Sequence, residues 1–458
     1  MSMSDTDDRL PVANAEALIA LLQSSGHSHV KIGVTDIDGV LRGKYMARDK
    51  LISSLSDGFG FCDVVLGWDT NDQLYDNTQI TGWHRGYGDA PVRILPGTTR
   101  DLATEPDTLI VLGEFGGEHE AICPRAMLRR VLAKAETMGL RALAACEYEF
   151  LVVEETATSL AAKRFRDLAA HGLGNFGYSM IRNSVNTTFY RGLLDLCETM
   201  RMPLEGLHEE TGPGALEAAI RVSDALEAAD RAVLFKTYAK VLAQRNGLFA
   251  SFMAKWDQSF PGQGGHVHVS LTDLDGAPAF GSGGAISTVM RHFIGGLQVC
   301  AHELAALSAP TVNSYRRLVP GYWAPTAATW GVDNRTVAIR AISGGAKSQR
   351  VEYRVPGADT NPYLTVAATL GAGLWGIEHA IEPNEAMTGN AYVAEVPDSL
   401  RLPATLHDAA AALRGSAAAR ALFGDAFVDH FAATREWEER EFRRHVSDWE
   451  LKRYFEII

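Results

Sequence analysis

The stretch A-C-E-Y-E-F-L-V-V, residues 145–153, decides how the rest of the chain is read. Its small and apolar residues spell a β-strand, yet Glu147 and Glu149 stand in its middle. Side chains two apart on a strand share a face. Two carboxylates therefore point together into what the flanking sequence marks as interior. Three further stretches repeat the oddity. In G-G-H-V-H-V-S-L (264–271), His266, His268 and Ser270 share one face and Val267, Val269 and Leu271 the other. In R-V-E-Y-R-V (350–355), Arg350, Glu352 and Arg354 lie opposite Val351, Tyr353 and Val355. In T-V-A-I-R-A (336–341), Arg340 lies opposite Val337 and Ile339.

Each strand alone reads as part of an ordinary antiparallel sheet with one wetted face. A wetted face carries Thr, Lys, Ser and Gln as well, whereas here the selection runs to carboxylate, imidazole and guanidinium. Paired in one antiparallel sheet, the four strands turn one face into a dense field of Glu, His and Arg. Crowded carboxylates raise one another's pKa unless cations compensate. Hard oxygen donors with an imidazole suit Mg²⁺ or Mn²⁺, and arginines beside them suit an anionic substrate. That combination is what phosphoryl transfer requires. In H-E-E-T-G-P-G-A-L-E (208–217), Glu209 and Glu217 flank a Gly/Pro turn and are placed to converge on one ion. A single H-V-H pair among glutamates favours Mg²⁺ or Mn²⁺ over zinc. The G-x-G-x-x-G within H-G-L-G-N-F-G (171–177) follows a helix-like charged segment instead of a strand, so it is not a dinucleotide fingerprint.

The chain has 458 residues, which predicts two domains. Its net charge of −13, with no Lys/Arg cluster, argues against a nucleic acid or an anionic membrane as partner. No apolar run approaches the ~20 residues of a membrane helix. The acidic start is unlike a secretory signal, and five scattered cysteines without C-x-x-C spacing suggest reduced thiols in a cytoplasmic protein. Residues 15–26 read as a short amphipathic helix stopped by Gly26, and an Asp38-Gly39 turn then joins V-K-I-G-V-T-D to V-L-R-G-K-Y-M as a hairpin. Short strands without a long helical pattern follow, so residues 1–118 are expected to form a small β-rich domain. From Pro124 a helix runs to Gly139, and long helical stretches recur near 223–246, 286–308, 361–382 and 426–445. With strands between them, residues 119–458 are expected to form an α+β domain.

The motifs E-Y-E-F (147–150), H-E-E-T-G-P-G-A-L-E (208–217), G-G-H-V-H-V-S-L (264–271), N-S-Y-R-R-L-V-P-G-Y (313–322), N-R-T-V-A-I-R (334–340), R-V-E-Y-R-V (350–355) and N-P-Y-L (361–364) occur in order. Through them the chain resembles the glutamine synthetases from about residue 30 to its end. The resemblance implies a β-grasp N-terminal domain, a large catalytic domain with a curved antiparallel sheet, and ATP-driven joining of glutamate to ammonia or an amine. It also implies a homo-oligomer, a dodecamer of two stacked hexameric rings with sites between neighbours. Two divalent ions would be held, one by Glu149, Glu209 and Glu217, the other by Glu147, His266 and Glu352. His268, Ser270, Arg340 and Lys347 would serve ATP, with Arg350 near its phosphates. Gly262, Arg317 and Arg354 would hold the amino-acid substrate, and Arg335 would lie between it and the transferring phosphoryl group. Asp69, in L-G-W-D-T, would be the aspartate lent to a neighbouring subunit's site. Tyr392 falls where some members of the family are adenylylated, in different surroundings, and carries no expectation.

One departure matters. After V-P-G-Y the ammonia-using members carry a glutamate before A-P, where this chain has Trp323. In the family that glutamate closes over the site and helps bind and deprotonate ammonium; an indole N–H only donates. The asparagine often found before the substrate-binding glycine is Pro261 here. The expectation is therefore an organic-amine ligase with Trp323 as part of the substrate site. The alternatives are a glutamine synthetase that tolerates the change, a non-catalytic nitrogen or polyamine sensor, and a metal-dependent amidohydrolase that needs no ATP.

Overall fold

The computed structural model describes residues 12–281, 286–345 and 348–458. The expected hairpin forms from β1 (His29–Thr35) and β2 (Leu41–Ala47), in register from Thr35↔Leu41 to His29↔Ala47. Its turn is fastened by Asp36, whose carboxylate accepts the backbone N–H groups of Asp38 and Val40 at 3.1 and 2.8 Å. With β3 (Phe59–Cys62), β4 (Asp89–Asp101) and β5 (Leu109–Phe115) it builds a five-stranded sheet of order β2-β1-β5-β4-β3, in which β1 and β5 run parallel, a β-grasp arrangement. No long helix interrupts these strands, as expected, but a ten-residue helix, Arg48–Asp57, follows the hairpin. It buries only Leu51 and Ser54, so its apolar signal in the sequence is faint.

The second sheet is organised around β6 (Leu140–Val153), the strand of the opening motif. Its even positions from Ala142 to Val152 are buried in the large core, while odd positions up to Glu149 are partly exposed, apart from Arg141, which is exposed. Tyr148 and Phe150 pack on Phe235 and Phe252, with ring centroids 5.2–6.4 Å apart. Burying each such side chain contributes roughly 1.5–3 kcal/mol, which holds the strand's phase and hence the direction of Glu147 and Glu149. Helices Pro124–Thr137, Ala225–Arg245 and Pro362–Glu378 back this side.

Around β6 lie β7 (Leu204–Glu209), β8 (Ala215–Ile220), the short β9 (Ser223–Asp224) and β10 (Phe249–Ser251), β11 (Gly265–Asp273), β12 (Trp330–Val332), β13 (Ile339–Ile342) and β14 (Arg350–Tyr353). The order is β12-β13-β14-β11-β6-β8-β7, with β9 and β10 also pairing β6. Pairing is antiparallel as expected, except that β12 joins β13 in parallel. The two cores meet at Arg125, whose guanidinium bonds both Glu114 of β5 and Asp230 of helix Ala225–Arg245 at 2.9–3.0 Å. Among the described residues no helix is long and apolar enough to cross a membrane.

Candidate active site

Strand register assembles the site. Glu149 stands directly across from Glu217, Glu147 from His266, and Glu352 from both His268 and Arg340. Residues from five strands thus reach one another through ordinary cross-strand pairing. Nε2 of His268 lies 3.1 Å from Glu147, and Nδ1 of His266 lies 3.3 Å from Glu147 and 3.7 Å from Glu352. Arg340 donates to Glu352 at 2.9 Å, and Arg354 donates to the same carboxylate. Arg350 donates to Nδ1 of His268 at 3.2 Å. Ser270 is half-buried two residues further along the His268 face of β11.

The first expected ion site needs a correction. Glu209 is not beside Glu149 and Glu217. His208 pairs across from Glu217, so the pleat sends His208 and Glu210 toward the carboxylates and Glu209 to the opposite face. Nε2 of His208 is 3.4 Å from Glu210 and 3.5 Å from Glu217, and ligand atoms of these three lie within 4.8 Å of one another. Glu209 is instead buried with Arg182 at 3.5 Å. The same parity rule, counted back from Glu217, could have found Glu210 in the sequence had the register of β7 been known. A second residue escaped sequence reasoning: the Tyr178 ring stacks on His208 at 4.3 Å, and its N–H donates to the Glu209 carbonyl at 2.8 Å.

Electrostatics bear on whether a metal fits. Burial raises the Glu217 carboxyl, and the charges of Glu147, Glu149 and Glu210 raise it further, to about 10. Burial works against Glu147 as well, but hydrogen bonds with His266 and His268 hold it well below the usual carboxylate range. Burial is likewise outweighed at Glu352, which Arg354 and both imidazoles pull down to about 2. Like charges so close resist joint ionisation, and a divalent cation is the partner that lets all of them ionise. The donors are glutamate oxygens with imidazole, and ligand atoms of Glu147, His268 and Glu352 form a second group within 4.8 Å. The set fits hard ions such as Mg²⁺ or Mn²⁺.

Beside the carboxylates a pocket is lined by Glu149, Glu210, Gly262, Gln263, Arg317 and Trp323, among others. Gly262 is required there, since a Cβ would come within 2.4 Å of the Ala254 carbonyl and 2.6 Å of Arg317. The Arg317 guanidinium is buried and donates to the carbonyls of Val355 and Arg354 at 2.8 and 3.2 Å. Trp323 is 52% exposed and holds a φ of +60°, a conformation costing a bulky residue roughly 1–3 kcal/mol. Arg335 is exposed, near enough to Tyr178 to bias its hydroxyl. Lys347 lies outside the described residues. Asp69 is buried within its own loop, where its carboxylate accepts the N–H groups of Asn71 and Gln73 at 2.8 Å. Within one chain the structure does not bring it to the other site residues.

Comparison with known proteins adds a family context. The profile described as glutamine synthetase, catalytic domain, matches residues 121–454. The chain is 44% identical over 455 residues to type-1 glutamine synthetase 2 of Dictyostelium discoideum, covering 97% of this chain and 87% of that protein. It is 37% identical over 442 residues to glutamate–isopropylamine ligase of a Pseudomonas species, covering 94% and 95%. The solved structure of apo GmaS without ligand matches with a TM-score of 0.83 at 26% identity, covering 96% of this chain and 99% of that one.

Proposed function

This chain belongs to the glutamine synthetase family, and from that premise we propose that it joins the γ-carboxylate of glutamate to an organic amine at the expense of ATP. The observation that carries the reading is Trp323, an exposed indole at the pocket where ammonia-using members have a glutamate. Its face offers an alkyl- or arylammonium a wall and a cation–π contact of about 0.5–2 kcal/mol. Ammonium has no carbon skeleton to place there. The likeness to a glutamate–isopropylamine ligase supports the same substrate class. The second reading, a glutamine synthetase using ammonia, is favoured by the higher identity to the Dictyostelium protein.

In the proposed reaction the glutamate γ-carboxylate attacks the γ-phosphorus of ATP, ADP leaves, and a neutral amine then displaces phosphate from γ-glutamyl phosphate. Arg340 and Arg350 flank His268 and Glu352 and would stabilise charge on the transferring group. His268, Ser270 and Lys347 would contact ATP, with Gly262, Arg317 and Arg354 on the glutamate side and Arg335 between the two substrates. Glu149, Glu210 and Glu217 would hold one Mg²⁺ or Mn²⁺ and Glu147, His266 and Glu352 another, the pair neutralising phosphate charge. Residues 1–118 and 119–458 would be the two domains, a division that the two apolar cores follow in the main, with Ile37, Tyr75, Leu102, Ile110 and Leu112 packing into the larger core and Ile122, Cys123 and Ala126 into the smaller. The proposed assembly is two stacked hexameric rings, supported by exposed apolar residues such as Phe455, Ile457 and Ile458. Asp69 would then serve a neighbour's site. Five unpaired cysteines support a reducing, cytoplasmic setting. Mass spectrometry of the product from glutamate, ATP and an amine panel tests the proposal. A γ-glutamyl amide is expected, and glutamine as the only product in every mixture would refute it.

A further inference from the structure

A second cavity, of about 250 Å³, lies where the loop between β4 and β5 meets helices Thr187–Thr199 and Ala225–Arg245. Thr104 lines it from the loop, Gly192, Asp195 and Leu196 from the first helix, and Leu242 and Arg245 from the second. Residues three and four apart share a helix face, so each helix turns one stripe toward the cavity. No residue of the proposed active site lines it. Gly192 bears on why the space exists. Glycine in a helix interior weakens the helix relative to alanine, and no neighbour requires one here. A Cβ at 192 would meet only the Leu242 methyl groups, at an ordinary 3.7 Å. What the missing side chain leaves open is the cavity itself.

The lining says which ligand. Arg245 and Asp195 are exposed, and among the described residues neither is held in an ion pair. Arg245 donates one N–H to the Thr104 carbonyl, which fixes its guanidinium at the cavity. Its charge reaches Glu105, but the two oxygens of that carboxylate are taken by Lys31 and Tyr45. A guanidinium keeps further donors after giving one, and a free carboxylate only accepts. Leu196 and Leu242 add an apolar wall. A ligand that answers both charges and that wall carries a carboxylate, an ammonium and an aliphatic chain. The volume lies below the roughly 300–1,000 Å³ of pockets for drug-sized ligands, which suits one small molecule of this kind. We infer that the cavity is a second binding site, for a free aliphatic α-amino acid, with its carboxylate on Arg245 and its ammonium on Asp195. The inference does not depend on the ligase reading.

The test is calorimetric titration of the full chain with L-leucine, with 4-methylpentanoate, which lacks the ammonium, and with 3-methylbutylamine, which lacks the carboxylate. Gly192→Leu, which fills the cavity, is the reference, and any heat that persists in it is subtracted as binding elsewhere. Leucine should bind wild type saturably and raise its melting temperature. A hydrogen bond to a charged group accounts for about tenfold or more in affinity. Each single-ended analogue should therefore bind at least about tenfold more weakly, and Arg245→Met and Asp195→Asn should each weaken leucine by a similar factor. Absence of leucine binding to wild type overturns the inference, as does equal binding to Gly192→Leu. An analogue that binds as tightly as leucine overturns the assignment to a zwitterion. Should Gly192→Leu fail to fold, Arg245→Met and Asp195→Asn decide, and unchanged leucine affinity in both overturns the site.

Discussion

Glu210→Gln and Glu209→Gln are neighbouring substitutions with opposite expected consequences. Glu210 shares a cluster with His208 and Glu217, with nitrogen–oxygen distances of 3.4 and 3.5 Å. Two unit charges about 4 Å apart attract by ~4 kcal/mol at an effective dielectric near 20. Water replacing the lost ligand returns part of this, leaving a net loss of about 3 kcal/mol, roughly a hundredfold in apparent Mn²⁺ affinity. Glu209 faces the other way, where burial raises its carboxyl and Arg182 opposes that rise. Removing its charge should leave both stability and Mn²⁺ affinity near wild type, since burial on balance disfavours that charge. Calorimetric Mn²⁺ titration beside thermal melting reads both. Lost Mn²⁺ binding in Glu209→Gln with normal binding in Glu210→Gln would refute the pleat argument.

Metal binding should release a proton. Glu217 is raised to about 10, so near pH 8 it is protonated in the metal-free protein and must ionise to serve as a ligand; calorimetry in buffers of different ionisation enthalpy should show about one proton released on Mg²⁺ or Mn²⁺ binding. The linked sign is that this raised carboxyl's stabilising effect on the metal-free fold is present at low pH and is lost as pH rises toward about 10. Excess Mn²⁺ should flatten that loss, as melting curves across pH would reveal. Trp323→Glu should shift the kcat/KM ratio toward ammonium, since a charged hydrogen bond regained there is worth roughly 1.5–3 kcal/mol, one to two decades; no shift would disconnect Trp323 from amine choice. Asp69→Ala should lower the melting temperature by removing the carboxylate oxygen that accepts the N–H groups of Asn71 and Gln73. Mixing it with Glu352→Ala should recover activity only if neighbours share sites.

The alternation in residues 145–153 was legible because a period of two is the simplest pattern a sequence can carry, and β6 keeps it over its charged stretch. The same holds for His266, His268, Glu352 and Arg340, each opposite an apolar neighbour that is buried. Glu209 was misplaced because two adjacent glutamates offer both faces, and a register shift between Leu204 and Gly206 decouples β7 from simple counting. Helix Arg48–Asp57 was missed because only two of its residues are buried. Tyr178 reaches His208 by a loop path rather than by strand pairing, which no local pattern encodes.

The central claim is that Trp323 marks a site for an organic amine. It is tested most directly by kcat/KM for isopropylamine against ammonium, from phosphate release at saturating glutamate, ATP and Mn²⁺. Each buried CH₂ returns about 0.8 kcal/mol, a term that ammonium lacks, so isopropylamine should lead by at least about tenfold. A wild-type enzyme that prefers ammonium over isopropylamine and over every other amine tried would contradict the account and make this protein a glutamine synthetase.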